Sequence, residues 1–202
     1  MLYLASRSPR RRELLTRLGL EFAVLELDVP EQRQADETAQ AYVSRVARDK
    51  ALAGLARVSG ESDALVLSCD TEVILDEDVF GKPRDTAEAA AMLRRLSGVP
   101  HTVVSALALV SASRHEEAVS VSTVRFARLP DAVIDAYVDS GEPFGKAGGY
   151  AIQGLAEAFV ERLDGSHSGV MGLPLHQSAQ LLATFGLGPL AAGLPTCATE
   201  AP

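Results

Sequence analysis

LVLSCDTEVILDEDVFGKPRD, residues 65–85, decides how the rest of the chain is read. Leu65 to Cys69 is a short apolar run that predicts a buried strand. It breaks off at Asp70-Thr71, so the carboxylate is expected to emerge at a strand end, where α/β proteins place their ligands. Glu72-Val73-Ile74-Leu75 predicts a second short strand, Asp76-Glu77-Asp78 supplies turn chemistry, and Val79-Phe80 leads back to Gly81-Lys82-Pro83. Asp70 and Lys82 are then expected across one hairpin from each other. A carboxylate and an ammonium at one cleft suit phosphate chemistry.

The 202 residues are 47% hydrophobic and 23% charged, which fits one globular domain, or two closely packed lobes, with a substantial core. No apolar run is long enough to cross a bilayer, and Leu2 to Ala5 before Arg7 is too short for the apolar part of a signal peptide. The expectation is a cytoplasmic protein with no membrane partner. Cys69 and Cys197 make neither a disulfide framework nor a metal-ligand pair. With 27 acidic against 19 basic residues the net charge is −8, and only 5% of residues are aromatic; both facts argue against nucleic-acid binding.

The basic residues are nevertheless concentrated at the N-terminus. Leu2 to Ala5 predicts a first strand. Ser8 is a good helix cap, Pro9 suits the first helical position, Leu14, Leu15 and Leu18 form an apolar stripe, and Gly19 fits the stop. Arg10, Arg11 and Arg12 oppose the helix dipole, a penalty that a bound phosphate would reverse. A solvated basic helix start is the plainer reading. Phe22 to Leu27 predicts a strand, after which Glu31 stands in a loop, where a lone carboxylate is usually just solvated. A helix is expected from about Glu37 to Leu55, capped by Asp36 or Thr38, with Gly54 near its end. Its apolar face carries Val43, Val46 and Ala47, and the next position at that spacing is Lys50, which either snorkels to the core's edge or points into a cleft.

Asp85 predicts the cap of a helix over Thr86 to Leu96. A strand over Thr102 to Val110 and another over Val119 to Phe126 follow, the second with a change of phase near Thr123 that suggests a bulge. Ala132 to Val138 predicts a helix. GEPFGKAGGYAIQG, Gly141 to Gly154, is dense in glycine around Glu142, Lys146 and Gln153, which describes either a plain loop or a backbone that approaches a ligand closely. Ala158 to Leu163 predicts a strand, Gly165 to Gly169 a loop and Pro174 to Phe185 a last helix; residues 191–202 have the composition of a disordered tail beyond a catalytic unit of residues 1–190.

Taken together and in order, Ser6-Arg7-Ser8-Pro9-Arg10-Arg11, Asp70-Thr71, Gly81-Lys82-Pro83, Leu96-Ser97-Gly98 with His101, Gly141-Glu142-Pro143 to Lys146-Ala147-Gly148, Tyr150 to Gly154 and Gly172-Leu173-Pro174-Leu175 resemble the Maf family of nucleoside triphosphate pyrophosphatases. The resemblance spans residues 2 to about 187. It implies a mixed α/β fold with an elongated twisted sheet, flanking helices and a cleft between two lobes, in proteins that are commonly homodimeric. Arg10, Thr71 and Gln153 match the positions that mark the dTTP and UTP branch rather than the 7-methyl-GTP branch. The implied activity is a house-cleaning hydrolysis of nucleoside triphosphates to monophosphate and pyrophosphate, in a family whose name is tied to septum formation.

The same resemblance assigns roles. Asp70 is the implied general base; aspartate is ordinarily weak at neutral pH, so a divalent Mg²⁺ or Mn²⁺ on Glu31 and Asp70 is implied as well. Arg11, Lys50 and Lys82 would hold the phosphates, assisted by Ser8, while Arg10, Thr71 and Gln153 would shape the base pocket. Glu72 stands where the family usually has an aliphatic residue; it reads either as a further metal ligand or, preferred here, as a side chain facing solvent. Cys69, in a predicted core strand with no histidine partner, is not read as a nucleophile. A nucleotide-sensing regulator would keep the basic contacts but has no need of a poised acid.

Overall fold

The computed structural model describes residues 1–188, so the expected tail at 191–202 lies outside the described residues. A seven-stranded twisted sheet runs in the order β2-β1-β3-β5-β6-β7, and β4 pairs with β3 off that path. β1 (Leu2–Ala5), β2 (Ala23–Leu25) and the start of β3 (Leu65–Leu75) are parallel. The rest, β4 (Asp78–Phe80), β5 (Pro100–Val110), β6 (His115–Phe126) and β7 (Val160–Asp164), pair antiparallel. On one face lies α2 (Ala39–Arg57), capped by Thr38. The other face carries α1 (Pro9–Thr16), α3 (Thr86–Leu96), α4 (Asp131–Asp139), α5 (His167–Met171) and α6 (Leu175–Thr184), with a core built around Leu14, Leu67, Leu93, Leu107 and Phe126.

Residues 65–75 form one strand, not two. β5 backs β3 without interruption from Val66 to Ile74, and nine consecutive pairs outweigh the local polarity of Asp70-Thr71-Glu72. Asp70 therefore sits in mid-strand opposite Ala106 and does not emerge at a strand end. It is accessible because of what happens on the other edge. β1 covers β3 only at Leu65, Val66 and Leu67, and β4 covers it only at Val73, Ile74 and Leu75. Between them, residues 68–72 have no strand neighbour on that side. This notch is where the candidate site lies.

Alternation along β3 distributes its side chains to the two faces. Val66, Ser68, Asp70 and Ile74 are directed at α2, with the Ser68 hydroxyl donating to the Ala47 carbonyl; Leu67, Cys69, Thr71 and Val73 face the opposite layer. α2 lies close to the sheet because Gly54 has no side chain: a Cβ there would stand 2.8 Å from Val66 Cγ1 and 3.3 Å from Ala5 Cβ. Gly54 is thus a packing residue, not a stop signal, and the helix continues to Arg57.

Elsewhere three readings are corrected. The phase change near Thr123 is not a bulge, since β6 pairs with β5 in unbroken register from His115 to Arg125; Ser120 and Ser122 simply occupy buried positions while Val121 points outward. The irregularity falls at Arg125/Phe126, against β7. The predicted strand at Ala158 begins at Val160 after a 3-10 turn over Leu155–Phe159, and the predicted loop at 165–169 is the entry to α5, whose cap Ser166 accepts from the Gly169 N–H at 3.0 Å.

Candidate active site

Ser8 opens the cleft: its hydroxyl accepts from the Arg11 N–H at 3.4 Å, and Pro9 takes the first position of α1. The first turn holds no acidic residue; with no N–H on Pro9, the Arg11 N–H on the Ser8 hydroxyl and the Arg12 N–H on the Ser8 carbonyl, the Arg10 N–H is the one left free there. Arg11 is held, not solvated. Its Nε donates to the Gly172 carbonyl at 2.8 Å and a terminal nitrogen donates to Thr71 Oγ1 at 3.4 Å. Thr71 is fixed in turn by a 2.7 Å hydrogen bond with Ser105, whose hydroxyl donates to the Gly169 carbonyl at 2.7 Å. Arg10 is partly buried and has its pKa lowered, first by that burial and then by the adjacent Arg11 charge. Two guanidinium groups that feel each other's charge at a helix start form a place that an anion would stabilise.

On the α2 side of the notch, Lys50 Nζ lies 2.6 Å from Glu31 Oε1 and 2.7 Å from Asp70 Oδ1, with its side chain only 13% exposed. The lysine points into the cleft. Glu31 is braced from behind, as the Tyr42 hydroxyl donates to its backbone carbonyl at 3.1 Å. Burial pushes the Glu31 carboxyl up, but the bond to Lys50 and the charges of Lys50, Lys82 and Arg11 outweigh it and leave the pKa below the usual value. Lys82, on the segment after β4, meets Glu31 Oε2 at 3.6 Å and not Asp70, so the expected Asp70–Lys82 pairing across a hairpin is replaced by one through Glu31. Lys82 remains largely exposed at the cleft mouth.

Glu72 does not face solvent. It is 8% exposed, and burial, reinforced by the Asp70 and Glu31 charges, raises its carboxyl to about 8. Asp70 Oδ2 and Glu72 Oε2 are both buried without a hydrogen-bond partner. Native proteins rarely leave such atoms unpaired without a use for them. Among the described residues no three His, Cys, Asp or Glu side chains are gathered closely enough to hold an ion by themselves.

Gln153 is exposed on the turn that follows buried Ala151 and Ile152, and lines the same cleft. That cleft, of about 510 Å³, is bordered by all the residues singled out from the sequence: Ser8, Arg10, Arg11, Glu31, Lys50, Asp70, Thr71, Lys82 and Gln153. Cys69 is fully buried and its thiol pushed up by that burial, which excludes it from nucleophilic work. Sequence reasoning missed the Tyr42 brace and the Ser105 support and turned Glu72 the wrong way; two-residue spacing from Asp70 would have placed Glu72 on the cleft face had β3 been read as continuous.

The family model described as Maf-like protein matches residues 1–185. The chain belongs to the Maf family. A relative from Xanthomonas oryzae pv. oryzae (strain MAFF 311018), named dTTP/UTP pyrophosphatase, is 60% identical over 188 residues, covering 92% of this chain and 99% of that protein. One from Xylella fastidiosa (strain M23), named nucleoside triphosphate pyrophosphatase, is 59% identical over 186 residues, covering 92% and 98%. Among solved structures, a nucleoside-triphosphatase / dITP/XTP pyrophosphatase from Mycobacterium abscessus aligns with a TM-score of 0.42 at 22% identity, over 64% of this Maf chain and 74% of that one. No helix among the described residues is long and apolar enough to cross a membrane.

Proposed function

We propose that this Maf protein hydrolyses dTTP and UTP to the nucleoside monophosphate and pyrophosphate, with water attacking the α-phosphorus. The observation that carries this reading is the centre at the notch, where Lys50 bridges Glu31 and Asp70 within reach of the Arg11-bearing start of α1. The names of the relatives support the substrate class.

Hydrolysis of a phosphoanhydride needs a positioned water and fixed positive charge on the oxygens that gather negative charge in the transition state. Asp70 Oδ1 is engaged by Lys50, which leaves Oδ2 to orient the water and take its proton. Lys50, fixed between two carboxylates, stays in the cleft without rearrangement. Arg11, anchored at Gly172, and the free Arg10 N–H at the helix start hold the phosphate chain, and Lys82 at the mouth covers its outer end. A divalent cation fits this donor set: Glu31 and the unpartnered oxygen of Glu72, once deprotonated, would supply hard ligands of the kind Mg²⁺ and Mn²⁺ take together with substrate phosphates, with Asp70 facing the attacking water. Bound there, the ion would acidify water and screen phosphate charge. Arg10, Thr71 and Gln153 form the base-facing end, where the Gln153 amide offers both a donor and an acceptor.

The test is a panel of nucleoside triphosphates incubated with Mg²⁺ or Mn²⁺, with pyrophosphate and orthophosphate measured separately. Pyrophosphate released chiefly from dTTP and UTP is the expected result. Chiefly 7-methyl-GTP turnover would move the protein to the other branch, and binding without turnover would make it a sensor.

A further inference from the structure

The loop from Gly141 to Gly154 carries Gln153 to the cleft, yet Gln153 itself is exposed and the loop is rich in glycine, so something outside the cleft must hold it in place. That holder is a carboxylate. Glu142 Oε2 accepts from the Leu155 N–H at 3.0 Å, while Oε1 accepts from the Ala156 N–H at 3.3 Å and from the Tyr137 hydroxyl at 3.0 Å. The Tyr137 oxygen accepts in turn from the Ala151 N–H at 3.2 Å. Residues 151, 155 and 156 are thereby clamped on both sides of Gln153 by two side chains, one of them from α4. Gly154 completes the fit, since a Cβ there would lie 2.6 Å from the Glu142 carboxyl carbon. Glu142 is itself placed by its N–H, which donates to Ser140 Oγ at 3.2 Å, and by Lys146, whose ammonium donates to its carbonyl.

Building on the base-facing role proposed for Gln153, we propose that the Glu142–Tyr137 pair is the positioning device of that residue, so that base selection is set by a carboxylate that never touches the nucleotide. A glutamine at this position would keep the shape but turn an amide N–H₂ toward backbone N–H donors, loosening the clamp without emptying it. A displacement of about an ångström at a substrate-facing group costs one to two orders of magnitude in efficiency.

The test compares Gln153→Ala, Glu142→Gln, the Glu142→Gln/Gln153→Ala double variant and Tyr137→Phe, each first checked for cooperative unfolding, for kcat and KM on dTTP and dCTP. Expected is a loss of about tenfold in the dTTP-over-dCTP preference of Glu142→Gln, carried by KM for dTTP with kcat changed by less than about threefold. The double variant should show no loss of preference beyond that of Gln153→Ala. Should Glu142→Gln fail to fold, Tyr137→Phe opens the same clamp from its other end and carries the same expectation. Unchanged preference in the clamp variants while Gln153→Ala loses it, or a double variant whose losses multiply, overturns the positioning role. Unchanged preference in Gln153→Ala sinks the base-facing role of Gln153 and the proposal resting on it.

Discussion

At Glu72 the chain carries a buried carboxyl where an aliphatic side chain is usual in the family, and one of its oxygens has no partner. Leaving a buried polar group unsatisfied costs about 1–3 kcal/mol, whereas an apolar replacement of similar shape escapes that penalty. In chelator-treated protein, Glu72→Val should therefore unfold at higher denaturant concentration than wild type; a lower midpoint would mean that Glu72 has a partner worth more than its desolvation. Lys50 is the converse case. Helical spacing placed it on the buried stripe, but only the structure shows the two carboxylates it meets, because Glu31 comes from an irregular loop and Asp70 from the adjacent strand. The charged residues singled out in the sequence line one cleft, but the sequence could not pair them, as with Lys82 and Glu31.

Among elements, α2 has a demanding fit to the sheet. Replacing Gly54 by Ala adds about 1 kcal/mol of helix propensity, but the new Cβ would press on Val66 at 2.8 Å, and overpacking of that kind costs about 1–3 kcal/mol. The clash should win. Gly54→Ala is predicted to lower the thermal midpoint by a few degrees and, by lifting α2, to reduce kcat through Lys50; a raised midpoint with normal turnover would contradict the account. Caps were legible because they are local: Ser8, Thr38 and Asp85 each accept from the N–H three residues on, as their positions in sequence suggest. The continuity of β3 was not legible, because it depends on pairing with β5, whose partner residues lie 28 to 44 positions further along the chain. The same holds for β6, where buried serines disguised an unbroken register.

Over the whole molecule, the proposed centre follows from the sheet: two partial strands, β1 and β4, leave a gap on one edge of β3, and both faces of the sheet contribute side chains to it. The core behind it brings its own pH dependence. His101 is buried, with Nε2 3.0 Å from the Tyr150 hydroxyl, and burial lowers its pKa from 6.5 to about 4. A folded-state value below the unfolded one means that the unfolded chain binds the extra proton, so this contribution is complete above pH 6.5 and is lost as pH falls toward 4. Between pH 7 and pH 5 it amounts to about 2 kcal/mol. Urea unfolding at the two pH values should show a smaller acid loss in His101→Phe than in wild type by about that amount; equal losses would place the acid sensitivity elsewhere.

The most direct test of the account as a whole is single-turnover hydrolysis and equilibrium binding of dTTP by Asp70→Asn. The amide keeps the shape and can still lie beside Lys50 but cannot take a proton from water. A fall in the hydrolysis rate of about 10²–10⁴-fold, with dTTP affinity within a few-fold of wild type, is the predicted result. Turnover near the wild-type rate would contradict the assignment of the notch as the catalytic centre.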